Sequence, residues 1–201
     1  VQTTTNAASA FRVLNQAGSS ILTADTATSS VTLAGDSANA TLSGWSATTT
    51  MNIGANTTRV RGAAVVSNGY LYHIGGVDGT AATIPTVQFA KVNGDGTIGA
   101  WSSTTALPDE RRQMSLVAVG GVLYVIGGRD DASATYDTVY MARQNTDGTL
   151  GSWQTTSALP AQVFAHASFV YAGHVYVAGG YSAAVAAQTA VYRAALLPDG
   201  T

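Results

Sequence analysis

The stretch VLYVIGG at residues 122–128 occurs in two further versions, YLYHIGG at residues 70–76 and HVYVAGG at residues 174–180. The three stretches are spaced by 52 residues, with no insertion or deletion between them. Each combines a run of β-favouring residues with a closing diglycine, a pattern that indicates a strand ending in a tight turn. Repetition at a period of this size is typical of modular architectures.

The middle repeat contains signals for four short strands, which we call a, b, c and d. An apolar run, a diglycine turn and a second β-rich run predict a hairpin of strands a and b. No window of the sequence shows a sustained apolar period of 3.6 residues, so we predict an all-β fold. The predicted strands are a at residues 114–119, b at residues 122–126, c at residues 138–143 and d at residues 149–153.

Four antiparallel strands per repeat are typical of one blade of a β-propeller. The repeat resembles the kelch family, in which strand b ends in Gly-Gly, strand c carries an aromatic residue and the outer strand carries a tryptophan. Tyr140 with Trp153 and Phe89 with Trp101 fit that pattern. The resemblance implies structural roles for the diglycines and the tryptophans, namely Gly75, Gly76, Gly127, Gly128, Gly179, Gly180, Trp45, Trp101 and Trp153.

The repeats predict two parts of the chain. Residues 1–38 contain three short β-rich runs and resemble the β-stalk repeats of bacterial surface proteins and phage tail fibres. Residues 39–201 contain three kelch-like blades that are cut between strands c and d. We place an isolated outer strand at residues 41–45 and the blades at residues 58–101, 113–153 and 165–201.

The two ends of the repeat region are complementary. TLSGW at residues 41–45 aligns with TIGAW at residues 97–101, although no strands a, b and c precede it. The third repeat has strands a, b and c before it stops. Because propellers typically contain four to eight blades, we expect a larger ring. It is built either by further repeats of the same polypeptide or by a homo-oligomer whose chains donate this strand to one another.

Composition excludes several classes of function. Only 10% of the residues are charged, and the net charge is -2, so the chain is not a nucleic-acid binder. The sequence has no cysteine, which excludes disulfides and thiolate metal sites. The apolar stretch at residues 164–197 stays in register with two polar repeats, so we predict no membrane insertion. Abundant Thr, Ser, Ala and Gly favour an extracellular or cell-surface location, bacterial or phage-associated.

Alternation of strand direction places the b–c and d–a loops of every blade on one face. The b–c loops have equal length but different sequences, at residues 77–85, 129–137 and 181–189. Variation on a constant scaffold is typical of binding surfaces. The predicted ligand-binding residues on this face are Arg59, Arg61, Arg111, Arg112, Arg129, Asp130, Asp131 and Tyr181.

Catalytic and metal chemistry have little support in the sequence. His73, His166 and His174 lack a shared spacing, so we predict no metal site and no cofactor. DGTLGSW at residues 147–153 resembles a stretched Asp box of sialidases, but we predict a structural turn there, with Asp accepting backbone N–H groups and Gly taking a positive φ.

We therefore predict a non-catalytic, extracellular binding or structural module, a filament subunit or an adhesin, that self-assembles and binds protein or glycan. The alternative is a sugar-processing enzyme, sialidase-like or epimerase-like.

Overall fold

The computed structural model describes residues 11–14, 20–25, 30–32, 44–51 and 59–197. The chain divides into two compact units, Val1–Ser46 and Ala47–Thr201. The described residues form strands and no helix. The strands are β1 (Phe11–Leu14), β2 (Ser20–Asp25), β3 (Ser30–Thr32), β4 (Ala63–Ser67), β5 (Tyr70–Ile74), β6 (Val87–Val92), β7 (Ile98–Thr104), β8 (Ser115–Val119), β9 (Val122–Ile126), β10 (Val139–Arg143), β11 (Gln154–Thr155), β12 (Ala167–Tyr171), β13 (His174–Ala178) and β14 (Val191–Ala195).

The first unit contains an antiparallel sheet in the order β1-β2-β3. Phe11 pairs with Ala24 on one side of β2, and Val31 pairs with Ala24 on the other. These strands lie where the sequence shows β-rich runs. The segments between them, residues 15–19 and 26–29, lie outside the described residues, and the likeness to β-stalk repeats stays a prediction.

The second unit contains three antiparallel sheets whose strands follow chain order. Blade 1 consists of β4, β5, β6 and β7, and blade 2 consists of β8, β9, β10 and β11. Blade 3 has β12, β13 and β14 among the described residues. This architecture confirms the predicted all-β fold of four-stranded blades.

The outer strand of blade 2 differs from the prediction. Residues 149–153 are not a strand, and β11 instead covers Gln154–Thr155. In this segment the pairing with the end of β10 is limited to an isolated bridge between Leu150 and Gln144. Leu150 also bonds to the neighbouring blade: its N–H donates to Thr104 Oγ1 over 2.7 Å, and its carbonyl accepts from Thr105 Oγ1 over 2.6 Å.

The predicted outer strand at residues 41–45 also differs. Residues 41–43 lie outside the described part of the chain, and Gly44 and Trp45 are described but are not in a strand. The Trp45 side chain is 91% exposed.

Two apolar clusters form the core, one at each contact between successive blades. β9 is buried along its whole length because its alternating side chains point to both neighbours. Leu123 and Val125 pack with Tyr72 of blade 1, whereas Ile126 packs with Val177 of blade 3. Burial of each such aliphatic side chain contributes about 2 kcal/mol of transfer free energy.

The diglycines allow the d–a segment to approach strand b closely. Gly76 and Gly180 have φ of 94° and 92°, which L side chains rarely adopt. A Cβ at Gly76 would lie 2.6 Å from Val60 O, and one at Gly180 would lie 2.6 Å from Phe164 O. These clashes explain the repeated second glycine.

Candidate ligand-binding face

The d–a and b–c loops of each blade are paired through their backbones. Isolated bridges join Val60 to Val77 in blade 1 and Arg112 to Arg129 in blade 2. In the second of these, each arginine N–H donates to the other's carbonyl, over 2.9 and 3.0 Å. The surface formed by these loops, residues 59–61, 77–85, 109–112, 129–137 and 181–189, is called the loop face below.

The three b–c loops share one backbone conformation. The N–H of Asp130 donates to Ala134 O over 3.1 Å, and the equivalent residues of blades 1 and 3 make the same bond. A residue with positive φ follows in each loop, Ala81, Ser133 or Val185. The loops therefore present different side chains on the same backbone.

The Arg111 side chain lies in the interior although its backbone belongs to the loop face, so its predicted role in ligand binding has no exposed group to support it. Its side chain has no exposed area, and its guanidinium Nε donates to Asp109 Oδ1 over 2.7 Å. Nη1 donates to Gly127 O over 2.9 Å, and the guanidinium carbon lies 4.1 Å from the Tyr136 ring centre. A guanidinium that is already hydrogen-bonded and stacked is not available to a ligand.

Asp109 and Tyr140 complete this buried cluster. The Tyr140 hydroxyl donates to Asp109 Oδ2 over 2.8 Å, and the Tyr140 ring lies 4.7 Å from the Arg111 guanidinium. Burial, followed by the carboxylate, raises the pKa of the Tyr140 hydroxyl. The sequence signal for the ion pair is Asp-x-Arg in the d–a segment, although nothing in that signal indicates burial.

Arg112 and Asp131 are brought together on the loop face. Arg112 Nη1 lies 2.6 Å from Asp131 Oδ1. Asp131 also accepts the Thr83 N–H over 2.7 Å and the Thr83 hydroxyl over 2.5 Å, so it links the b–c loops of blades 1 and 2. The hydrogen bonds from Thr83, followed by the Arg112 charge, lower the pKa of this carboxyl. Sequence analysis did not identify Thr83.

Arg129 and Asp130 stabilise their own loop. Arg129 Nη2 donates to Ser133 Oγ over 2.8 Å, and its guanidinium carbon lies 4.7 Å from the Phe164 ring centre. Asp130 accepts the Tyr136 hydroxyl over 2.8 Å. Burial, followed by that carboxylate, raises the pKa of Tyr136 to about 12.

The remaining predicted residues differ in exposure. Arg61 and Tyr181 are exposed, and the Tyr181 ring stacks on Phe164 with a centroid distance of 5.6 Å. Arg59 is half-buried. The loop face therefore combines exposed Arg61, Asp131 and Tyr181 with half-buried arginines.

The c–d turns on the opposite face have the predicted structural geometry. Asp147 Oδ1 accepts the Thr149 N–H over 2.9 Å and its hydroxyl over 2.6 Å, and Gly148 has a φ of 87°. These bonds lower the pKa of the Asp147 carboxyl. The Tyr72 hydroxyl of blade 1 donates to Gly148 O over 2.6 Å, so the turn also connects two blades.

The histidines lie in separate places. His166 is buried between blades 2 and 3, with Nε2 2.6 Å from Ser115 Oγ, and burial lowers its pKa to about 4. His73 lies in β5, where burial, followed by the Arg59 charge, lowers its pKa. His174 begins β13. Across the described residues, no three His, Cys, Asp or Glu side chains are grouped so that they could hold a metal ion.

The tryptophans differ in their environment. Trp153 Nε1 donates to Thr105 O over 2.9 Å and packs against the core between blades 1 and 2. Trp101 is half-buried, and its Nε1 has no hydrogen-bond partner among the described residues. In the described part of the chain, no helix has the length and apolar character needed to cross a membrane.

Comparisons with known proteins support the blade architecture. The kelch motif model matches residues 110–141. The chain is 33% identical to human Kelch-like protein 33 over 124 residues, which cover 59% of this chain and 21% of that protein. It is 34% identical to mouse Kelch-like protein 26 over 82 residues, covering 40% and 12%. It is 27% identical to a camelpox virus Kelch repeat and BTB domain-containing protein 1 over 119 residues, covering 59% and 19%.

The matched segment thus spans about a fifth or less of these relatives. The kelch similarity favours a non-enzymatic protein-interaction module over the sugar-processing alternative. The motif, the relatives and the four-stranded antiparallel sheets agree, and the fold of this chain is that of kelch-type β-propeller blades.

Proposed function

We propose that this chain is a protein-binding propeller module whose partner contacts the loop face. The observation that carries the proposal is the set of three b–c loops with one backbone turn and different exposed side chains. A rigid scaffold with variable loops is how many folds present binding residues. The scaffold supplies stability independently of the loop tips, which leaves their side chains available for recognition.

The composition of the loop face suits a protein partner. Tyr181 is exposed and is held by stacking on Phe164, so ordering it on binding costs little entropy. Arg61 is exposed, and Arg112 and Arg129 have guanidinium groups fixed by neighbours. Tyrosine and arginine are enriched among the residues that dominate binding energy in protein interfaces.

The test is affinity capture with the 201-residue chain, followed by interferometry with the partner recovered. We expect Tyr181→Ala and Arg61→Ala to weaken binding about tenfold each, as for residues that contribute more than about 1.4 kcal/mol. Thr146→Ala, an exposed change in a c–d turn on the opposite face, is the control and leaves the affinity unchanged. Loss of binding in Thr146→Ala with retention in both loop variants would place the binding site elsewhere.

The finer predictions are a glycan ligand, a role as filament subunit or adhesin, and an extracellular or cell-surface location. The low content of charged residues supports the location, and the open loop face supports a ligand of either chemistry. Protease treatment of intact cells tests the location, since a surface protein is digested and an internal one is protected. Binding to a glycan array that Tyr181→Ala abolishes would identify a glycan as the ligand.

A further inference from the structure

Val185 on the loop face is an exposed apolar residue in a backbone conformation that suits valine poorly. It is 62% exposed. Its φ is 57°, in the left-handed region, where a β-branched residue costs folding free energy that glycine does not. Stability therefore does not account for a valine at this position.

The exposure of Val185 is a property of its place at the tip of the b–c loop. The equivalent residues of blades 1 and 2 are Ala81 and Ser133, which both have a φ of 67° and are exposed, although another blade follows each of them. The following blade covers the side of the loop instead, as where Thr83 bonds to Asp131 and is 3% exposed. The tip is therefore open whether or not another blade packs beside it.

The rest of the third b–c loop is uncharged. Residues 181–189 contain no Asp, Glu, Lys or Arg, whereas residues 129–137 of blade 2 contain four such residues. Val185 is flanked by Ala184 and Ala186, which are both exposed. A partner can cover this tip without desolvating a charge, so the burial of its apolar area favours binding.

The neighbouring loops of blade 2 expose their carboxylates more than their guanidinium groups. In the ion pair of Arg111 with Asp109, the side chains are 0% and 33% exposed, and in that of Arg112 with Asp131 they are 12% and 39% exposed. The acidic member of each pair is thus the one that solvent reaches. A surface that covers its cations and exposes its anions attracts a positive group of a partner.

A stack of side chains places the acidic and the apolar areas side by side. The Arg129 guanidinium carbon lies 4.7 Å from the Phe164 ring centre, and Phe164 stacks on Tyr181 with a centroid distance of 5.6 Å. Arg129 and Tyr181 are the first residues of the b–c loops of blades 2 and 3. These two loops are therefore neighbours, and one partner can contact both.

We propose, on the basis of the protein-binding function above, that blades 2 and 3 bind a protein segment with a basic side chain next to an apolar one. The apolar side chain of the segment packs on Val185, and its basic group is attracted by the carboxylates of Asp109 and Asp131. Electrostatic attraction orients the segment, and burial of Val185 contributes to its affinity. The strained valine thus serves recognition rather than stability.

The first test selects binders from a random dodecapeptide library displayed on phage, with the immobilised 201-residue chain as the target. We expect the selected peptides to be enriched in sequences that place Lys or Arg next to an aliphatic or aromatic residue. Enrichment of acidic peptides, or the absence of any binding peptide, would overturn the proposal.

The second test measures the dissociation constant of a synthetic selected peptide with variants of the loop tips. Val185→Gly removes the side chain but suits the positive φ, so it should weaken binding about tenfold without lowering the urea midpoint of unfolding. Ala81→Gly is the matched control, since position 81 has the same conformation in the loop of blade 1, and it should leave the affinity unchanged. Equal affinities of Val185→Gly and the wild type would refute the apolar contact.

The charge contact is tested with Asp131→Asn, which keeps an oxygen acceptor for Thr83 and removes the negative charge. We expect binding about fivefold weaker, and a smaller difference from the wild type in high salt, which screens exposed charges. Circular dichroism checks that the variant is folded. An unchanged affinity in low salt would contradict the basic partner.

The same peptides separate the chemistry of the partner from the proposed function of the loop face. Peptides that lose binding in Tyr181→Ala or Arg61→Ala but bind Val185→Gly and Asp131→Asn normally would overturn the partner chemistry alone. Peptides that bind all four variants normally would place the binding site away from the loop face and refute both proposals.

Discussion

Blades 1 and 2 meet in a complete contact, whereas blades 2 and 3 meet in one that is open at its outer edge. In the complete contact, two N–H groups of the outer segment of blade 2 donate to blade 1: the Leu150 N–H to Thr104 Oγ1 and the Trp153 indole N–H to Thr105 O. In the open contact, the same place is a groove beside β14. The difference shows that the apolar core between two sheets can form without the hydrogen bonds that join the outer segment of one blade to the preceding blade. At the open contact the apolar cluster is present although blade 3 has only β12, β13 and β14 among the described residues.

The largest expected effect concerns the ion pair between buried Arg111 and Asp109, whose side chain is 33% exposed. Asp109→Ala leaves the Arg111 guanidinium without a carboxylate in a site with no exposed area. Removal of one partner of a fully buried pair costs about 3–5 kcal/mol, and we expect the lower end, about 3 kcal/mol, because Asp109 is partly exposed to solvent. Urea denaturation of Asp109→Ala should show that loss, with Glu110→Ala as a neighbouring carboxylate control that loses under about 0.5 kcal/mol. Equal losses in the two variants would mean that the ion pair does not stabilise the blade contact.

Equivalent core positions compare the two contacts directly. Leu123 is fully buried between blades 1 and 2, and its equivalent Val175 lines the groove between blades 2 and 3. Leu123→Ala should reduce the free energy of unfolding by about 3 kcal/mol, and Val175→Ala by about 1 kcal/mol because its site is open. An equally large loss at Val175, measured by the same denaturation, would show that the second contact is as closed as the first.

The open contact should also weaken in acid. His166 is neutral in the folded state because burial lowers its pKa to about 4, whereas an unfolded histidine has a pKa of about 6.5. Between these two pKa values the unfolded state binds more protons than the folded state. The contribution of neutral His166 to the free energy of unfolding is therefore fully present above pH 6.5 and is lost as the pH decreases toward 4. At pH 5 the loss is roughly 2 kcal/mol.

Urea denaturation at pH 7.5 and pH 5.0 measures this loss. His166→Gln should remove most of the difference between the two pH values while leaving the smaller contribution of His73, whose pKa burial also lowers. An unchanged pH dependence in His166→Gln would assign the acid sensitivity to other groups.

The smallest expected effect concerns the hydrogen bond between the Trp153 indole of blade 2 and the Thr105 carbonyl of blade 1. Trp153→Phe removes the bond from Nε1 to Thr105 O, which should cost about 1 kcal/mol. Trp101→Phe removes an indole N–H that has no partner among the described residues, so its cost should be near zero. Thermal unfolding of both variants tests this difference. A larger loss of stability in Trp101→Phe than in Trp153→Phe would show that the Trp101 indole N–H also stabilises the fold.

Sequence periodicity predicted the strands of the blades well because strand alternation and diglycine turns are local properties. β9 and β13 begin and end where the repeat predicts. It failed at β11, because residues 149–153 pair with the end of β10 only through the bridge of Leu150 to Gln144, which the local sequence pattern does not indicate. It did not indicate that Arg111 is buried, because this burial depends on Tyr136 and Tyr140, which lie elsewhere in the chain. The predicted loop face depends on strand direction alone, and the paired loops have that arrangement.

The link from Asp131 to Thr83 makes the three repeats non-interchangeable. Position 131 corresponds to Gly79 in the first repeat and to Ala183 in the third, so neither can supply a carboxylate to a preceding blade. Thr83 likewise corresponds to Ala187 in the third repeat. A gene in which the repeats were shuffled would keep every strand and every diglycine but would lose this bond wherever the second repeat no longer followed the first. Among the three repeats, the hydrogen bonds between Thr83 and Asp131 thus form only where the second repeat directly follows the first.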